Sequence, residues 1–389
     1  MKHLIILISF ISIATTTIAQ PVVSRAKVAI FTPLYLDSAF DNNTYKYGKL
    51  VPSFAINGLE YYYGAMQAID SIKKAGKLVD FTIIDTKQKN NSIQQLIANG
   101  ALDSMHILIG SITNNAEIKL LADYAQKRKI PLISATYPSD AGITNNANFV
   151  LLNSTLKTNC KALHEFVKSK FANQRIVVLS KNGKQEERIV TYFKEFEQNS
   201  TGTALAIEYI NVGNYITEDS LYQVLDSTVL STYIVASTDV VFAKNMANVI
   251  VTKQLQEQSN LIGLPTWDNA TEFTKKEYQG IHFYYCTPNI TPYNGFAAKL
   301  NNGYKNEYGT AAGDNLYRGY ESVYKYVNLL LKYTINVSAN LVSKEYNTLL
   351  NYRIQPTMLN ANSMQLDYFE NVKVYIIKIL NGVTTTLAQ

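Results

Sequence analysis

The side chains best suited to chemistry gather in short polar stretches, each following an apolar run. Gly110-Ser111-Ile112-Thr113-Asn114 combines a glycine, which lets a ligand approach the backbone, with two hydroxyls, and it precedes a helical period. A helix opening there presents unpaired N–H groups, which makes the stretch an anion site by construction. The competing reading is that Ser111 and Thr113 cap that helix. Pro33-Leu34-Tyr35 and Ala135-Thr136-Tyr137 have the same character in the first half of the chain. Their counterparts further along the chain are Lys181-Asn182-Gly183-Lys184, Ser237-Thr238-Asp239 and Pro265-Thr266-Trp267-Asp268. Asp239 has the charge to answer an ammonium group, or else it caps a helix. Trp267, the only tryptophan, would cover the apolar part of a ligand or fill a core. All of this is the chemistry of recognition. No nucleophile elbow, phosphate-binding loop or dinucleotide fingerprint occurs. His106, His164 and His282 stand apart from Cys160 and Cys286, without ligand spacing. No enzyme activity, metal or cofactor is therefore expected.

The elements that must hold these loops alternate from the start. Lys27–Thr32 is a buried-strand pattern, and Leu59, Tyr62, Met66, Ile69 and Ile72 then repeat at three and four, one face of a helix. Val79–Ile84, His106–Ile109 and Ile130–Ser134 are further strand patterns with helical periods between them. The rhythm restarts with strands at Arg175–Leu179, Ala204–Ile210, Tyr233–Ala236, Leu261–Leu264 and Ile281–Tyr285. The order predicts an α/β fold of two doubly wound parallel-sheet lobes. Ligands bind beyond the carboxyl ends of the strands in such sheets, which is where the polar stretches fall. The chain closes on Val374–Leu380, Asn381-Gly382 and Val383–Leu387, a hairpin signal. The stretch between Pro33 and Gly58 shows no clear period and reads as a lid or a packed surface excursion.

Composition bounds the rest. A basic start at Lys2 and His3, an apolar run from Leu4 to Ile13 and small residues before Gln20 read as an export signal cleaved after Ala19. The run is too short to span ~30 Å of hydrocarbon. No cysteine follows the cleavage site, so no lipid anchor is expected. About 370 residues remain, more than the ~250–300 at which single cores stop growing, and two lobes follow. The net charge of +6 is scattered rather than clustered, which argues against a nucleic-acid or anionic-membrane partner. Two cysteines exported to an oxidising compartment are free to bridge, but their spacing demands no bridge, and buried free thiols are the alternative.

At this point the residues resemble the type I periplasmic binding proteins, in particular the leucine/isoleucine/valine-binding branch of ABC-transporter receptors. Lys27–Leu34 (KVAIFTPL), Gly64–Gly76 (GAMQAIDSIKKAG), Phe81–Asp85 (FTIID), Ile107–Ser134 and Phe296–Tyr326 carry the resemblance, which covers nearly the whole mature chain. It implies a three-segment hinge, with one lobe at 25–148 plus 287–336 and the other at 149–286 plus 337–389. It implies that Ser111, Thr113, Thr136 and Tyr137 receive a ligand carboxylate. The sequence departs from the amino-acid receptors after Leu179, where they often carry a tyrosine-glycine pair and this chain has Asn182-Gly183-Lys184-Gln185. Lys184 there favours a more acidic ligand. The expected function is a monomeric, periplasmic solute receptor for an amino-acid-like or other small anion, serving an ABC permease. The alternative is an envelope accessory or sensor protein that uses the same fold to regulate a partner.

Overall fold

The computed structural model describes residues 25–202, 204–214, 217–359 and 365–387; the expected signal segment lies outside them. The first sheet is built on β1 (Ala26–Thr32), β2 (Val79–Asp85), β3 (Ile107–Gly110), β4 (Leu132–Ser134) and β5 (Phe149–Leu151). The second uses β6 (Arg175–Ser180), β7 (Ile207–Asn211), β8 (Ser231–Val235), β9 (Ser259–Gly263) and β10 (His282–Thr287). Late in the chain come β11 (Ile354–Thr357), β12 (Tyr368–Asn371), β13 (Tyr375–Leu380) and β14 (Val383–Leu387). The two seven-stranded sheets run β11-β12-β5-β4-β3-β1-β2 and β14-β13-β10-β9-β8-β6-β7. All neighbours pair in parallel except β11–β12, β10–β13 and β13–β14. Continuous runs such as Val28–Phe31 and Val177–Leu179, fully buried, are what a sheet covered on both faces requires.

The lobes divide differently from the sequence reading. Phe149–Leu151 and both strands between residues 354 and 371 belong to the first sheet, whereas the sequence reading put them in the second lobe. Their runs are only three or four residues long, too short for a clear period. The chain thus crosses between lobes after Leu151, after Thr287 and after Asn371. The crossings are tied together: Ser154 Oγ donates to the carbonyl of Asn371 at 2.6 Å, and the Thr155 N–H donates to Glu370 at 2.6 Å. The stretch from 33 to 58, expected to lack period, contains a helical turn at Leu36–Ala39 and a small hairpin pairing Phe40–Asp41 with Thr44–Tyr45. The Asn381-Gly382 hairpin is present with both residues at positive φ.

Two long helices bring their first turns to the strand ends of the first lobe: α1 (Ser53–Lys74) and, much later, α9 (Asp314–Tyr333), the ninth α-helix counted from α1. A Cβ on Gly58 would lie 2.0 Å from the carbonyl of Pro33, just beyond β1. One on Gly64 would lie 1.9 Å from the Leu316 carbonyl, and one on Gly319 2.1 Å from that of Tyr61. The glycines let the two backbones touch, with both N-termini at the same end.

Candidate functional site

The strand-end loops hold most of their polar groups in internal pairs. Tyr35 lies in the left-handed region at φ 58°. Asp85 fills the loop around it, accepting the N–H groups of Leu34, Tyr35 and Leu36 at 2.9, 3.2 and 2.9 Å. The Tyr35 ring packs edge-on against Phe54. Ser111 and Thr136 pair through their hydroxyls at 2.9 Å. Thr113 is exposed and Tyr137 half-buried against the first-lobe core. The helix cap here is neither Ser111 nor Thr113: Asn114 accepts from the N–H groups of Ala116 and Glu117.

On the second lobe, Asp239 caps the helix Val240–Thr252 by accepting the Val241 N–H. It also pairs with Lys181 at 2.5 Å, and that bond holds its carboxyl below the usual range. Lys184 opens the helix Lys184–Gln198 and is exposed. The buried carboxylate beside it is Glu186, which accepts from Ser237 at 2.6 Å. Trp267 is 1% exposed and packs on Phe273 and Phe283. A Cβ on Gly263 would lie 2.0 Å from its ring. Trp267 is therefore core, and its neighbour Asp268 turns the other way.

Asp268 faces a cavity of about 1030 Å³ between the lobes. The N-terminal parts of α1 and α9 line it from the first lobe, through Asn57, Glu60, Asp314 and Arg318. Pro265, Asp268 and Tyr285 line it from the second, and the three crossings contribute Asn153, Asn289 and Asn371. None of the eight residues singled out from the sequence lines it. The two regions do touch, because Asn153 donates from its side-chain amide to the carbonyl of Thr136 at 3.1 Å.

The electrostatics of the cavity are mixed. Asp268 accepts from the Tyr285 hydroxyl at 3.0 Å. Burial, aided by the nearby charge of Asp314, raises its carboxyl above the usual range. Glu60 is likewise raised, chiefly by burial, although it accepts the Gly313 N–H at 2.7 Å. Arg318 and Lys373 supply positive charge.

The decisive feature is what lacks a partner. Among the described residues, Asn153 Oδ1, Asn289 Nδ2, Asn371 Nδ2, Tyr352 Oη and Arg318 Nε are buried polar atoms without a hydrogen bond, and all five residues line this cavity. The first four residues are 8, 5, 1 and 3% exposed. Such atoms cost roughly 1–3 kcal/mol each if left unsatisfied, and seven others lie away from the cavity among the described residues. Prolines and asparagines in the crossing at 288–294 resemble a linker in sequence, and this is why the cavity was missed. No group of three His, Cys, Asp or Glu side chains able to hold a metal occurs among the described residues. No described helix is long and apolar enough to cross a membrane.

A family model described as periplasmic binding protein matches residues 52–343. Among solved structures, a putative branched-chain amino acid ABC transporter protein from Rhodospirillum rubrum is 11% identical. It has a TM-score of 0.69, and the alignment covers 94% of this chain and 100% of that one. The branched-chain amino acid substrate-binding protein LivJ from Streptococcus pneumoniae, solved with isoleucine, is 16% identical with a TM-score of 0.51, covering 94% and 99%. Full-length LpoA from Haemophilus influenzae is 15% identical with a TM-score of 0.57, covering 94% of this chain and 59% of that one. At these identities the likeness is one of fold. No curated protein sequence matches.

Proposed function

The chain belongs to the periplasmic binding protein family, and from that membership we propose that it captures a small polar ligand between its lobes and delivers it to an ABC importer. The observation that carries this reading is one interlobe cavity lined by five residues that each hold a buried polar atom without a hydrogen bond. A rigid scaffold that leaves donors and acceptors open at one place is built to bind there, because a ligand recovers the cost of burying them. The protein acts by binding and release, without chemistry on the ligand. It works as a monomer in the periplasm after loss of residues 1–19.

The strand-end loops serve the closed form. Ser111, Thr113, Thr136 and Tyr137 approach from the first lobe, Lys184 and Asp239 from the second, as the hinge folds. Tyr35 and Trp267 stand behind these loops, packed on Phe54 and Phe273.

The test is to denature the purified protein, identify the small molecules released, and titrate them back by calorimetry. Binding that weakens at least tenfold in Asn289→Leu supports the cavity as the site. A protein that releases nothing and binds none of the solutes offered would move the accessory or sensor role ahead.

A further inference from the structure

We infer that the cavity takes a neutral, polyhydroxylated ligand, a saccharide of about two rings, in preference to an amino acid or a small anion. This inference rests on the cavity being the ligand site.

Three features point the same way. The first is the mixture of open groups. Asn289 Nδ2, Asn371 Nδ2 and Arg318 Nε are donors, Asn153 Oδ1 is an acceptor, and the Tyr352 hydroxyl is both. An anion would answer the donors and leave the acceptor open. An amino acid brings one carboxylate and one ammonium, two groups for five open ones, and an aliphatic side chain would answer none. A hydroxyl donates and accepts at once, so several on one rigid ring answer the whole set.

The second feature is charge. Glu60, Asp268 and Asp314 carry three carboxylates into the lining, against the cations of Arg318 and Lys373. That balance disfavours a free anion. Asp268 and Asp314 are each already held by one protein hydroxyl or more, Tyr285 on one and Thr291 on the other at 3.2 Å. Carboxylates fixed in this way accept further hydroxyl protons without requiring a cation.

The third feature is size. At about 1030 Å³ the cavity stands at the top of the ~300–1,000 Å³ range that holds drug-sized molecules. A single amino acid would leave most of it to water. Tyr375 and Tyr285 line it on the second-lobe side.

The experiment is a calorimetric titration of the purified protein with maltose, cellobiose, trehalose and lactose, alongside isoleucine and glutamate. At least one disaccharide is expected to bind, and neither amino acid to bind as tightly. Asn289→Leu and Arg318→Met should each weaken that disaccharide at least tenfold. The two variants sit on different elements, so the failure of one to fold leaves the other to report. Tighter binding of isoleucine or glutamate, weakened by the same variants, would overturn the saccharide while leaving the cavity as the site. Disaccharide binding untouched by both folded variants would overturn the placement. Binding of no probe at all would overturn the saccharide, and release of nothing from the denatured protein would then count against the binding role itself.

Discussion

The carboxylate of Glu60 accepts the backbone N–H of Gly313 at 2.7 Å. Gly313 is the N-cap of α9 and has no side chain to offer, so a neighbouring helix caps it from outside. This bond fixes the first turn of α9, and with it the position of Arg318 at the cavity. Glu60→Ala should therefore destabilise the protein by about 1 kcal/mol, the usual cost of a lost cap. Urea denaturation checks this; an unchanged midpoint would mean that the cap is dispensable.

Glu60→Gln separates the cap from the charge. Burial raises the carboxyl above its ordinary value, so the folded state holds its proton to higher pH than the unfolded one. Stability contributed by this group falls as pH rises from about 4.5 through the raised value. The glutamine keeps an acceptor and removes that cost. Its melting point should exceed that of the parent at pH 7, and the gap should narrow as the pH is lowered toward 4. A gap that widens on acidification would contradict the assignment.

Capping of the helix Asn115–Arg128 gives a sharp contrast among three residues of one loop. Asn114→Ala should cost about 1 kcal/mol, because its side chain receives two N–H groups. Thr113→Ala should cost almost nothing, since the side chain is exposed. Ser111→Ala should cost roughly 0.5–1.5 kcal/mol through loss of its bond to Thr136. Chemical denaturation of the three variants would reveal any other order.

Trp267 reports on the core of the second lobe. Its emission should be blue-shifted and poorly quenched by acrylamide in the folded protein, and both properties should be lost in urea. Trp267→Ala should cost about 3–5 kcal/mol. Strong acrylamide quenching of the native protein would place the ring at the surface instead.

Most strands and their parallel order were legible because they are apolar runs of four or more residues between clear breakers, unlike Phe149–Leu151, Ile354–Thr357 and Tyr368–Asn371. Lys27–Thr32 and Arg175–Leu179 need no partner to be recognised. What stayed hidden is set by contacts distant in sequence. Nothing local to Asp85 shows that it fills the turn at Leu34–Leu36, and nothing local to Lys181 distinguishes it from Lys184 as the partner of Asp239. Thr136 was read as a ligand group, and Ser111 and Asp239 as ligand groups or helix caps, yet each has a partner in its own lobe. The cavity escaped for a related reason. Its open groups come from residues 153, 289, 318, 352 and 371, one from each of five separated segments, and only the hinge brings them together. The one signal available was the asparagine at each of the three crossings.

Cys160 and Cys286 are both buried, free, and part of one core cluster. Burial raises both thiols, so neither is a nucleophile in the folded state. Iodoacetamide should label no cysteine in the native protein and both in urea without reductant. Failure to label in urea would show that the two had bridged.

The central claim is that a ligand occupies the cavity and draws the lobes together. Hydrogen–deuterium exchange tests it most directly, comparing the ligand-free protein with protein given back the small molecules recovered from its own denaturation. Closure around the cavity predicts slowed exchange in both lobes at once, at residues 313–318 on the first side and 265–268 on the second, together with the crossing at 287–294. Protection confined to one lobe, or none at these segments while the ligand demonstrably binds, would contradict it.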